Sequence, residues 1–241
     1  MAPENEDRPT TVSGRRTLGR VQRPGSRYST AVGLFIGAIV IYAIFQSIGS
    51  PDGFGLTDES ADLPLPEFAV PVATGPVEGD ANIAQDDCET GGLPCPADER
   101  RTPACEVRGA EVIRVCDYFD RPLVLSFWLT QSGECVSQQD IVSRLAERYR
   151  GRVRFLSIDI RDSRDEVRDL VRERGWRMPV GYDHDGAVAS IYEVGACPSF
   201  IFAYPGGLLQ SASFGELDAA ELDRRVRRLQ MESLERARTG R

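Results

Sequence analysis

Six cysteines hold the reactive chemistry of this 241-residue chain: Cys88, Cys95, Cys105, Cys116, Cys135 and Cys197. A cysteine attacks as its thiolate, which a helix N-terminus or a nearby cation favours. The pattern around Cys135 supplies such a setting. The apolar run Pro122–Trp128 reads as a buried strand, Gln131-Ser132-Gly133-Glu134 as a sharp turn, and a helical pattern opens at Cys135. Three residues before that cysteine stands Ser132. A serine hydroxyl cannot take part in thiol–disulfide exchange, so the Ser-x-x-Cys turn holds one sulfur where exchange needs two. Any redox role depends on a second cysteine from elsewhere in the chain.

The remaining sulfurs fit structural roles. An even cysteine count in an exported domain implies disulfides, and six cysteines allow 15 pairings. Cys88 and Cys95 are placed to close a small loop. Cys105 and Cys116 flank a predicted hairpin, Glu111–Cys116 being one arm and Arg108-Gly109 its turn. These four are the structural disulfide candidates. No metal site is expected, because zinc ligands pair at two- to four-residue spacing and the single histidine, His184, is remote from the cysteines. The chain has no lysine, which removes Schiff-base chemistry, and no cofactor motif is visible. A net charge of −8 argues against a nucleic-acid partner, which would call for a basic face.

Charge is unevenly distributed. Arg8, Arg15, Arg16, Arg20, Arg23 and Arg27 precede an apolar run from Ala31 to Ile48, and the following stretch 50–87 carries acids without a single basic residue. A helix of about 18 residues covers about 27 Å, the short end of a bilayer span. The arginines before it predict a cytoplasmic N-terminus and an extracytoplasmic remainder. The expected organisation is a disordered cytoplasmic tail at 1–30 and a signal anchor in the cell membrane at 31–49. An acidic, proline-rich linker at 50–87, a domain at 88–236 and a disordered C-terminus at 237–241 follow. Ser47 and Gly49 also fit a cleavage site, in which case the apolar run would be a signal peptide.

Within the domain, Val153–Ile158 reads as a second buried strand. Ser163 to Glu166 is a capping box for a helix stopping at Gly175. Pro179–Tyr182 is a short strand and Ala187–Val194 a short helix. Ser199–Tyr204 and Leu208–Phe214 form a hairpin around Pro205-Gly206-Gly207. Asp218 and Glu221 cap a last helix with Leu222, Val226 and Leu229 on one face. Strands alternating with helices indicate an α/β domain with a mixed central sheet flanked by helices.

Taken in order, these residues resemble the thioredoxin superfamily, and within it the membrane-anchored TlpA/ResA type of thiol–disulfide oxidoreductase. Leu123–Trp128 with Ser132-Gly133-Glu134-Cys135 is similar to its strand and active-site turn. Tyr182 to Gly186 and Tyr192-Glu193-Val194 are similar to its loop and short helix. Ala196-Cys197-Pro198-Ser199-Phe200 stands where the family has its cis-proline. The resemblance implies a thioredoxin-like fold over about residues 103–230 and exchange with exported thiol- or disulfide-containing proteins. It also implies a membrane or extracytoplasmic redox partner.

The pattern departs from the family at Ser132, the attacking position, and at Ser126, where many thioredoxins bury a carboxylate. The residue before the cis-proline packs on the active-site sulfurs in the family, so Cys197 is the expected partner of Cys135 and these two are the candidate catalytic residues. A permanent disulfide or two inert thiols there is the alternative. Trp128, Ser132, Gly133, Glu134 and Pro198 are the candidate substrate-binding residues, with Trp128 also read as core or cleft wall. Another arrangement has the Cys88–Cys95 segment fold over the cleft and exchange with Cys135. At the level of function, the alternative to an enzyme is a redox-inactive binding or chaperone-like module using the same groove.

Overall fold

A computed structural model of the chain describes residues 61–77, 79–83 and 102–240. The central element is a five-stranded mixed sheet in the order β6-β5-β4-β7-β8. Its strands are β4 (Leu123–Trp128), β5 (Arg154–Ile160), β6 (Val180–Asp183), β7 (Ser199–Tyr204) and β8 (Leu208–Phe214). β4 runs parallel to β5, and β5 to β6. β7 is antiparallel to both β4 and β8. Every residue of β4 is buried, as expected of a central strand covered on both faces.

Side chains alternate across such a sheet, so each face has its own core. Val124 and Trp128 of β4 and Phe200 and Phe202 of β7 pack with α1 (Gly133–Arg148), α2 (Arg164–Arg174) and α4 (Ala219–Thr239). Helix α1 contributes Val142 and Leu145, α2 Val167 and Val171, and α4 Leu222, Val226 and Leu229. Leu123, Leu125 and Phe127 of β4 face the other way, with Ile201 and Ala203 of β7. On that side the only α-helix among the described residues is the five-residue α3 (Ala187–Ile191), which is too short to cover the sheet.

The cover comes from the N-terminal side of the domain. β1 (Phe68–Pro71) is buried throughout and is the middle strand of a second, antiparallel sheet between β2 (Asn82–Ile83) and β3 (Val112–Arg114). Phe68 and Val70 sit in the same core as Leu125, Phe127, Ile158 and Tyr192. The approach is close at β6, where a Cβ on Gly181 would lie 2.6 Å from Val70 Cγ2 and 2.8 Å from Ile158 Cδ1. The segment also crosses the whole sheet. Leu65 N–H donates to Gly207 O at one edge, and Ala73 N–H donates to Val180 O at the other, both within 2.9 Å.

This corrects the sequence-based expectation for 50–87. Its described part, residues 61–77 and 79–83, is a packed strap rather than a linker, so the domain begins before residue 88. The predicted hairpin around Arg108-Gly109 is absent as well. β3 pairs with β1, and Cys105 lies in a 3₁₀ turn, Ala104–Glu106. At the other end α4 continues to Thr239, through residues expected to be disordered from 237. Ser163 is the N-cap of α2 without a side-chain hydrogen bond, so the predicted capping box is not formed there, whereas Asp218 does cap α4 by accepting from Glu221 N–H at 2.7 Å. Gly175 ends α2 in the left-handed conformation, as its position predicts. Among the described residues no helix is long and apolar enough to cross a membrane. The tail at 1–30, the proposed anchor at 31–49, and Cys88 and Cys95 lie outside the described residues.

Candidate active site

The buried strand β4 ends at Trp128, and the chain turns through Thr130 and Gln131 into α1. Ser132 is the N-cap of that helix, and its Oγ accepts from Cys135 N–H at 3.4 Å. The serine that cannot exchange disulfides thus satisfies one of the N–H groups that a helix start leaves without a partner. Cys135 falls in the first turn and is fully buried. Gly133 and Glu134 are exposed beside it, and Ser132 is half-buried.

The chain returns to this point just before β7. β4 and β7 are neighbours, with Phe127 opposite Ser199, so the loop ahead of β7 lies next to the turn that follows β4. Gly195 and Ala196 are exposed, Cys197 is half-buried, and Pro198 is buried behind a cis peptide bond. Gly215 N–H donates to Pro198 O at 2.9 Å and fixes the loop to the end of the hairpin. Cys135 and Cys197 are joined in a disulfide, with Cα atoms 5.9 Å apart and a sequence separation of 62. That separation lies inside the range a disulfide requires.

Trp128 is fully buried and packs edge-to-face on Trp176, with ring centroids 5.1 Å apart. It is therefore the floor beneath the turn and not a surface that a substrate touches, which corrects its assignment as a binding residue. Pro198 is likewise buried, so the accessible part of the loop is Gly195 to Cys197. His184 is exposed, with its Nδ1 3.0 Å from the Tyr182 hydroxyl. Tyr192 is core, its hydroxyl donating to Pro66 O at 2.7 Å in the strap.

The position of the family's buried carboxylate is neutral here. Ser126 is fully buried and donates to Gln139 Oε1 at 3.3 Å, and Ser157 donates to the same oxygen at 2.8 Å. A buried acid lies instead on the adjacent strand. Asp159 is fully buried at the C-terminal end of β5, in register with Trp128. Burial, reinforced by the neighbouring Asp162 carboxylate, pushes its pKa up to about 10. At neutral pH it is a carboxylic acid, since an unpaired charge in that setting is too costly. Asp162 in turn accepts a hydrogen bond from Thr130 N–H, tying the loop after β5 to the turn that carries Ser132.

Neither aspartate was among the residues singled out in the sequence. The signal was present in Ile158-Asp159-Ile160, an acid between two strand formers, but a carboxylate reads more readily as the end of a strand than as part of its core.

The second disulfide, Cys105–Cys116, also has Cα atoms 5.9 Å apart and is separated by 11 residues. It joins the 3₁₀ turn Ala104–Glu106 to a second one, Val115–Tyr118, under the strap. The Glu67 carboxylate lies close to both sulfurs, but two sulfurs bonded to each other offer no thiolate to a metal.

Among known proteins, the chain is 22% identical over 112 residues to the thiol-disulfide oxidoreductase ResA of Oceanobacillus iheyensis, a match covering 46% of this chain and 58% of that protein. The chain thus spans little more than half the length of this relative. No family model matches the sequence. Among solved structures, a candidate thiol:disulfide interchange protein DsbE from Chlorobium tepidum superposes with a TM-score of 0.53 at 14% identity. That alignment covers 73% of this chain and 99% of the other. A DsbF homologue from Corynebacterium diphtheriae gives 0.52 at 19% identity, covering 73% and 93%. These superpositions speak for the fold alone: the chain has the thioredoxin-like fold.

Proposed function

We propose that this protein is a membrane-anchored, extracytoplasmic thiol–disulfide oxidoreductase acting on exported proteins, with Cys135 and Cys197 as its redox pair. The observation that carries this reading is the disulfide linking the first turn of α1 to the residue before Pro198. It replaces a Cys-x-x-Cys pair along one turn by a pair across the rim of the sheet. Thioredoxin-like proteins similar to this chain bear the names of thiol–disulfide oxidoreductases, which supports the same reaction class. The anchor is supported by the apolar run 31–48 between arginines and acids.

The test is redox cycling of the full chain. Titration against a dithiol buffer, followed by thiol alkylation and peptide mapping, should reduce and reoxidise the Cys135–Cys197 bond reversibly. The oxidised form should form disulfides in a reduced test protein, or the reduced form should break them. Cys135→Ser and Cys197→Ser should each abolish turnover. A bond that stays closed across the titration, with the test protein unchanged, would leave a binding module on the same fold. Protease protection of the C-terminal domain in intact cells checks the proposed orientation.

A further inference from the structure

In a disulfide exchange an incoming thiolate approaches one sulfur and expels the other, so the two halves of the bond are not equivalent. Access and leaving-group quality decide which is attacked. Here both differ between the two cysteines. Cys135 is fully buried within the hydrophobic core, packed with Trp128, Val136 and Phe200. Cys197 is only half-buried, and the two residues before it, Gly195 and Ala196, are exposed. Cys135 also sits in the first turn of the sixteen-residue α1. There the helix dipole and the first-turn N–H groups offset the cost that burial puts on a thiolate. Glu134 is the one charged residue in that turn, and it is exposed, where solvent screens it.

We propose that exchange enters through Cys197, which takes the partner-facing role for which Ser132 has no sulfur, while Cys135 is the resolving sulfur. The inference rests on the redox reading above. A substrate thiolate attacks Cys197 Sγ. A new sulfur–sulfur bond forms between substrate and Cys197, the Cys135–Cys197 bond breaks, and its electron pair leaves on Cys135 as thiolate. A second substrate thiolate then attacks the substrate sulfur of the mixed disulfide and expels Cys197. The substrate dithiol loses two electrons and two protons to become a disulfide, and the protein gains two thiols. In the reducing direction the same steps run backwards, with Cys197 attacking and Cys135 resolving. Ser132 needs no sulfur in this scheme, because the position that faces the partner has moved to the Cys197 loop.

The test uses glutathione as a single-thiol probe. The oxidised full-length protein is mixed with excess glutathione, quenched with acid within the first turnover and mapped by mass spectrometry. Glutathione should be found on Cys197 in excess of Cys135 by about tenfold or more, the accessible sulfur being the one attacked. The Cys135→Ser variant, which retains Cys197, should react with an aromatic disulfide at least about tenfold faster than Cys197→Ser. Should either variant fail to fold, the wild-type quench decides alone. Glutathione on Cys135, or shared equally, overturns the proposed polarity and leaves the redox pair standing. Glutathione on neither cysteine of the native protein, with the bond still closed, overturns both.

Discussion

The two described disulfides hold their Cα atoms at the same 5.9 Å, yet they join different kinds of structure. Cys105–Cys116 closes a short loop between two 3₁₀ turns, and both its residues are half-buried. Cys135–Cys197 has a sequence separation of 62, joins a helix start to an exposed loop, and pairs a fully buried cysteine with a half-buried one. Bridge length therefore does not separate the staple from the pair proposed to be reactive. What separates them is asymmetry: unequal access, and a helix N-terminus on one side alone. The same contrast extends to the regions around them. The strap and its staple cover one face of the sheet, while the rim where β4 meets β7 carries the proposed redox pair.

Substitutions should divide along that line. The largest effect on stability is expected at the strap. Phe68 is fully buried under β4, and Phe68→Ala should cost about 3–5 kcal/mol in denaturant unfolding. Exchange per folded molecule should be unchanged. A large loss of exchange in the folded fraction would break the separation of the two regions. Replacing the staple, Cys105→Ala with Cys116→Ala, should cost about 2–3 kcal/mol for a loop this short, again with exchange retained. Loss of turnover in that variant would make the staple part of the redox path.

Smaller effects belong to the rim. Ser132→Ala removes the hydrogen bond to Cys135 N–H. It should cost about 1 kcal/mol. Unlike the strap variants, it should also change the exchange rate of folded protein, by altering the first turn that receives the leaving thiolate. Asp159→Asn should act through pH alone. The unfolded chain loses this proton near the usual value of 3.8, whereas the native chain keeps it until about 10. Over that window the unfolded state binds fewer protons, so the native contribution declines as pH rises. The wild type should lose stability from about pH 4 upward more steeply than the asparagine variant, as measured by unfolding midpoints across pH. Parallel pH profiles would show that Asp159 is ionised in the native state.

Much of the sheet was legible because its period is simple. The apolar run of β4, the hairpin of β7 and β8 and the capped α4 each carry a local signature. The strap does not. Phe68-Ala69-Val70-Pro71 is a short apolar stretch between prolines and acids, and composition across 50–87 outweighs it. A non-local clue was nonetheless available. β4 is apolar at both parities, and α1, α2 and α4 all pack on one face, so the face of Leu123, Leu125 and Phe127 had to be covered by something else. The cysteine pair was legible only through resemblance to a fold, since no local rule connects residues 135 and 197. Asp159 was hidden because burying an acid runs against the composition of protein cores.

The path of the strap has one more consequence. Open strand edges are templates for unwanted pairing with another chain. Pro64 forms a bridge with Leu208 of β8, and Val72 with Gly181 of β6. The outer strands of the five-stranded sheet are thereby latched at these points by the chain's own backbone. A partner cannot enter at these points as an added strand, and the domain is guarded there against edge-to-edge aggregation.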